Sequence, residues 1–168
     1  MSSVQTEQNQ LIPTGTWAVD PVHSKVGFDV LSLDTHVAAI SGRFTEFEGT
    51  LTGGDEPKLA GVVRTASLNT DNEQRDADVR SADMLDVERF PEIRFESTAV
   101  EHLEGDRFKV RGDLTIKETP VSVELDARLR GTGTDAWGSE KIAVRFDGLI
   151  QWGPTRVELT AEISAARQ

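Results

Sequence analysis

The stretch Arg107–Leu129, RFKVRGDLTIKETPVSVELDARL, decides the fold. Phe108, Val110, Gly112, Leu114 and Ile116 share one register, and Arg107, Lys109, Arg111, Asp113, Thr115 and Lys117 take the other. After Glu118, Thr119 and Pro120 the alternation resumes, with Val121, Val123, Leu125, Ala127 and Leu129 set against Ser122, Glu124, Asp126, Arg128 and Arg130. Successive side chains of a strand point to opposite faces, so this period of two predicts a hairpin with one dry and one wet face. A sheet with one solvated side must pack on a second sheet, pack on helices, or close on itself.

Working outward, the same period returns in Val26, Phe28 and Val30, in Phe47, Gly49 and Leu51, and in Leu59, Gly61 and Val63. It recurs in Ile93, Phe95 and Ser97, in Ile142, Val144, Phe146, Gly148 and Ile150, and in Val157, Leu159, Ala161 and Ile163. With Thr16–Asp20 this makes roughly eight or nine strands, separated by turn residues such as Gly53-Gly54-Asp55 and Gly131-Thr132-Gly133. Short sequential connections favour an antiparallel up-and-down meander. The exception is Asn69–Glu88, too charged for a strand and read as one short helix or an irregular lid. Asp71 is its expected cap, and its weak apolar side carries Ala77, Val79, Ala82, Met84 and Leu85.

The chain of 168 residues is long enough for one domain with a real core. Residues 1–13 read as a flexible tail and 14–168 as the domain. A net charge of −11 repels nucleic-acid phosphates and anionic lipid surfaces, and no Lys/Arg cluster compensates, so neither nucleic acid nor stable membrane insertion is expected. Without cysteine there is no disulfide, thiolate metal site or thiol nucleophile. Met1–Gln10 has neither a basic start nor an apolar run, which sets the expected location as cytoplasmic.

About eight antiparallel strands, each with one dry face, form a sandwich or a barrel. Gly49, Gly61, Gly112 and Gly148 all fall in the inward register, where a core favours Val, Ile or Leu. They mark either sharp bends at barrel corners or space left open, and both favour a barrel.

Catalytic chemistry finds little support. His23, His36 and His102 are not at metal-ligand spacing, and no metal site or cofactor is expected; His36 and His102 read as surface residues. There is no nucleophile elbow, phosphate-cradling loop or dinucleotide fingerprint. Glu46 and Glu48 read as a solvated outer face, and His23 and Ser24, as strand neighbours, point to opposite faces rather than forming a dyad.

Thr16-Trp17-Ala18-Val19-Asp20-Pro21-Val22-His23-Ser24-Lys25-Val26-Gly27-Phe28 resembles the N-terminal signature of the YceI-like polyisoprenoid-binding family. Arg43–Gly49, Arg75-Asp76 with Arg80–Asp86, Phe90–Phe95, and Gly112–Ile116 with Thr119-Pro120-Val121 agree with that family in order and spacing. The resemblance covers roughly 16–138; the chain departs from the family's pattern after Asp135-Ala136-Trp137-Gly138, through Gln151-Trp152-Gly153-Pro154. It implies a lipocalin-like, elongated antiparallel barrel holding an apolar isoprenoid lipid, a polyprenyl chain or a quinone tail, with no catalysis. Family members occur in the periplasm and the cytoplasm and some are dimers, so a homodimer is compatible with it.

On this reading Val26, Phe28, Val30, Phe95, Val110, Gly112, Leu114, Val123, Leu125, Phe146 and Gly148 line the lumen. Register alone does not separate a lumen from a solid core. The rival expectation is therefore a filled barrel acting as a protein-interaction or stress-response module without lipid. Trp17 reads as a barrel plug or edge anchor. His23 reads as a headgroup contact or a tie for the first turn, and Arg75, Arg80 and Arg89 as the cluster that could meet a headgroup or simply balance nearby acids.

Overall fold

The computed structural model describes residues 12–31, 38–153 and 155–168. The deciding hairpin forms in the expected register. Strand β8 (Arg107–Ile116) pairs with β9 (Thr119–Thr134) through Leu114 opposite Val121, Gly112 opposite Val123, Val110 opposite Leu125 and Phe108 opposite Ala127. The turn is tighter than the expected Glu118–Pro120, because Lys117 and Glu118 alone make it, at φ 52° and 68°. Two left-handed residues match the right-handed twist of the flanking strands, which offsets their own strain.

The other strands are β1 (Gly15–Val19), β2 (Lys25–Leu31), β3 (Ala38–Phe44), β4 (Phe47–Gly53), β5 (Lys58–Arg64), β6 (Leu68–Asn69), β7 (Glu92–His102), β10 (Glu140–Trp152) and β11 (Thr155–Arg167). These segments fill eight positions of one closed antiparallel barrel. Strand β11 pairs with β2 over Arg156–Glu162 and with β1 over Ala165–Arg167, so β1 and β2 are two parts of one bent strand. In the same way β4 pairs with β1 while β3 pairs with β2, and β5 pairs with β4 while β6 pairs with β3. From β7 to β11 each strand pairs with the next, and the β1–β11 pairing closes the ring.

The bends have local causes. At the first, Asp20 Oδ1 accepts from Val22 N at 2.9 Å, and the chain turns through Pro21, which has no N–H to give a ladder. Ser24 fastens this bend to β11: its hydroxyl donates to the Ser164 carbonyl at 3.1 Å and accepts from Ser164 N at 2.9 Å. The second and third bends are sewn together, with Thr45 N donating to the Ser67 carbonyl and Arg64 N to the Glu46 carbonyl.

Helix α1 (Glu73–Arg80) lies inside the expected lid, but Asn72 rather than Asp71 caps it, its side chain accepting from Arg75 N at 3.0 Å. Asp71 is left-handed at φ 61°, whereas an N-cap needs the extended backbone that Asn72 has. Ala82, Met84 and Leu85 follow the helix in a run of turns, where Leu85 N donates to the Val79 carbonyl.

One end of the barrel is packed solid. Trp17, Phe108, Val110, Leu129, Ile142, Val144 and Ala165 are buried there in one cluster, and Trp17 plugs it at 1% exposure. The Trp17 indole N–H donates to the Pro13 carbonyl at 3.3 Å, and the Arg167 guanidinium lies 4.4 Å over its ring. Of the expected tail, residues 1–11 lie outside the described residues, while Ile12 packs against this cluster. His36 also lies outside the described residues. No helix among the described residues is long and apolar enough to cross a membrane.

Candidate ligand cavity

The other half of the barrel is hollow, with a cavity of about 360 Å³ lined almost wholly by carbon. Val26, Phe28 and Val30 of β2, Ile40 and Phe44 of β3, Val63 of β5, Ile93 and Phe95 of β7, Leu114 of β8 and Val157 and Leu159 of β11 line it. Each of these points inward by register, yet each is only half-buried. Inward residues of a solid core would be fully buried; these face space instead. Of their polar neighbours, Thr70 and Thr155 contribute to the wall.

The lid segment closes one side. Leu68, Val79, Met84 and Leu85 border the cavity from there. Because α1 is polar almost all round, it is fixed by hydrogen bonds rather than by an apolar stripe. Buried Thr70 donates its hydroxyl to Asp76 Oδ1 at 2.5 Å, and its N–H donates to the same oxygen at 2.9 Å. These bonds hold the Asp76 carboxyl below the usual carboxylate range. Arg75 Nε donates to Thr70 Oγ1 at 3.0 Å and its Nη2 to the Thr70 carbonyl at 2.9 Å; Arg80 Nη2 donates to the Leu68 carbonyl at 2.5 Å.

At its inner end the cavity meets Leu51, Leu59, Val144 and Phe146. The same four residues border a second void, of only about 10 Å³, inside the packed half.

Of the residues expected along the lumen, Val26, Phe28, Val30, Phe95, Leu114, Leu125 and Phe146 are on the cavity wall. Val110, Gly112, Val123 and Gly148 are not. Val110 belongs to the packed half, at 1% exposure, and Val123 is buried opposite Gly112. The Phe95 ring covers Gly112, where an added Cβ would stand 2.6 Å from Phe95 Cζ, and Leu125 Cδ2 closes over Gly148. Gly112 and Gly148 therefore do not mark open lumen; each receives a neighbouring side chain, and Gly112 lies opposite Ser97 at a bulge in β7. Only Glu48 O comes within 4 Å of a Cβ added at Gly61, at 3.7 Å, and Gly61 borders the cavity.

The headgroup candidates do not converge. Arg75 and Arg80 reach the lid, but on the hydrogen bonds just described. Arg89 is exposed, bridges to Asp86 at 3.6 Å and lies over the Phe90 ring. His23 is exposed at the first bend, its Nδ1 2.7 Å from Asp20 Oδ2. Sequence reasoning missed Ile40 and Phe44, although Ile40, Gly42 and Phe44 alternate with Ser41 and Arg43. It also missed Leu68 and Thr70, which sit in a two-residue strand and a loop and so carry no period.

The comparisons agree with this geometry. The profile of the YceI-like domain matches residues 17–166, which carries the likeness through β10 and β11, past the expected limit near Gly138. Protein YceI of Salmonella newport is 33% identical over 133 residues, covering 77% of this chain and 68% of the relative. Among solved structures, the Campylobacter jejuni YceI protein superposes with a TM-score of 0.70 at 21% identity, over 80% of this chain and 88% of that one. A polyisoprenoid-binding domain from Saccharophagus degradans, implicated in plant cell wall breakdown, superposes with a TM-score of 0.68 at 16% identity, over 90% of this chain and 98% of that one. The bent first strand, the closed ring of eight positions and the match over nearly the whole domain have one meaning: the chain belongs to the YceI-like family.

Proposed function

We propose that this protein binds and carries or stores an apolar isoprenoid lipid, a polyprenyl chain or a quinone tail, without catalysis. The observation that carries the proposal is the carbon-lined cavity of about 360 Å³, many of whose inward side chains, such as Phe28, Ile40, Phe95, Leu114 and Leu159, stay half-buried. That volume lies within the range of small-molecule sites. Family membership and the isoprenoid-binding neighbour add support.

The driving force is apolar burial. Each methylene removed from water contributes about 0.8 kcal/mol, so a few isoprene units give useful affinity without a polar anchor. The headgroup belongs outside the carbon-lined space. A diphosphate there would meet a net charge of −11, with Arg75 and Arg80 engaged by backbone carbonyls. A neutral headgroup of the quinone kind suits this surface better.

Native mass spectrometry of gently purified protein tests the proposal. The expected result is one homogeneous added mass that organic extraction resolves as a prenyl lipid. Ligand-free protein that also fails to take up added prenol would overturn it and leave the protein-interaction module as the better reading.

A further inference from the structure

We propose that Leu51, Leu59, Val144 and Phe146 form a stop that sets how many isoprene units the lumen accepts. This rests on the lipid-carrier reading and adds to it a determinant of chain length. The four residues are the shared wall between the cavity of about 360 Å³ and the void of about 10 Å³. On the cavity side Phe28, Phe95 and Leu159 are half-buried; on the other Phe108, Val110 and Ile142 are 4%, 1% and 1% exposed. Along β10 the cavity wall ends at this layer, while on the β1 and β11 side it runs on to Val19, Ile163 and Ala165.

Phe146 dominates the layer because of its neighbours across the sheet. It pairs with Ala127 on β9 and Ala161 on β11, and Ala127 pairs in turn with Phe108 on β8. The rung thus reads Phe108, Ala127, Phe146, Ala161, with large and small side chains alternating. One phenyl ring occupies the space that two alanines leave. From the Trp152–Thr155 pair at the end of the β10–β11 hairpin to the Phe146–Ala161 pair is six residues, or about 20 Å along the strands at roughly 3.3 Å per residue.

A prenyl chain offers no polar group along its length, and the cavity wall offers almost none in return. Neither partner can register the other by hydrogen bonding, so length is sensed only where space runs out. Units that enter gain their full burial; a unit beyond the stop stays in water or pushes the headgroup off the mouth.

The experiment uses delipidated full-length protein and a homologous series of all-trans prenols, farnesol through solanesol, with affinities from competitive native mass spectrometry. In the unaltered protein affinity rises by up to on the order of 1,000-fold per added unit until the stop is reached, and then by less than about threefold. Phe146→Ala joins three alanines in a row and moves that plateau to a longer prenol. Leu159→Phe, one inward position nearer the mouth, moves it to a shorter one. Phe108→Ala enlarges the closed side without breaching the stop and leaves the plateau in place.

A folded Phe146→Ala protein with the original plateau overturns the stop, as does a Phe108→Ala shift equal to that of Phe146→Ala. Should Phe146→Ala fail to fold, Leu159→Phe decides: a shorter plateau supports the stop and an unchanged one overturns it. If the unaltered protein binds no prenol at all, the lipid-carrier reading itself falls, which is a distinct result.

Discussion

The two halves of this barrel are built from the same strands with the same alternation, yet one is solid and the other hollow. In the solid half inward side chains meet across the axis: Trp17 closes the end, and Phe108, Val110 and Ile142 fill what remains. In the hollow half the inward residues are no less apolar, but Gly49 and Gly61 face each other across β4 and β5 and offer no side chain to the middle. Apolar content does not separate the halves. Side-chain volume at matched levels does. Unfilled space of this size would cost roughly 5 to 10 kcal/mol if it behaved like an engineered core cavity, a cost that an apolar ligand offsets.

The largest test of this contrast sets one phenylalanine against another. Phe108→Ala opens a hole among fully buried neighbours and is expected to lower stability by about 3 to 5 kcal/mol. Phe28→Ala removes a half-buried ring that already borders space, tilted against Phe44 at 5.3 Å, and should cost only about 1 to 2 kcal/mol. Denaturant unfolding measures both, and prenol binding should fall for Phe28→Ala. Equal losses of stability would erase the distinction between the halves.

A second pair uses the inward glycines. Gly112→Val places a Cβ against the Phe95 ring and the Glu96 carbonyl and should destabilise by about 1 to 3 kcal/mol. Gly61→Val meets only ordinary contact, so its stability should change by less than about 0.5 kcal/mol while prenol binding weakens through lost volume. A Gly61→Val protein that binds prenol normally would show that the ligand does not use the middle of the barrel.

The lid gives a third test. Thr70→Val keeps the shape and the backbone N–H bond to Asp76 Oδ1 but removes the hydroxyl, so Asp76 loses one donor and Arg75 Nε loses an acceptor. The expected cost is about 1 to 2 kcal/mol, felt as faster hydrogen exchange over α1 while β8 and β9 stay protected. Uniform acceleration across all strands would mean that the lid and barrel open as one unit.

The alternation explains why the fold was readable. Period two survives along β7 to β11 because one face of each strand is wet, where Lys109 meets Asp126 at 2.6 Å and Arg145 meets Glu162 at 2.6 Å. What alternation does not encode is level along the barrel axis. Val110 and Leu114 have the same register on one strand, and only the stagger between strands puts Val110 in the solid half and Leu114 on the cavity wall. The glycines failed for a related reason: that Phe95 covers Gly112 depends on the offset of β7 against β8, which a bulge between Ser97 and Ala99 alters. Asp71 and Asn72 are both good caps by type, and the left-handed backbone at Asp71 decided between them. For Leu68 and Thr70, in pieces too short to show a period, no pattern existed to be read.

The smallest expected effect belongs to the solid half and appears only in acid. Asp20 is held at about 2 against an ordinary 3.8, first by its hydrogen bond to His23 and then by Lys141 and the Val22 N–H, with partial burial opposing. A carboxyl with a folded pKa below its unfolded one binds fewer protons when folded, so its stabilisation is complete above about pH 4 and is lost as pH falls toward 2. Asp20→Asn should remove that share at neutral pH and flatten the acid limb of the stability curve between those values, as urea unfolding at stepped pH would show. Asp76 is also depressed, by Thr70, and titrates on the lid rather than at the bend. If the two act separately, Asp20→Asn leaves the acid sensitivity of hydrogen exchange over α1 unchanged; a change there would mean that the solid end and the lid are energetically coupled, and the contrast between the halves would need a term linking them.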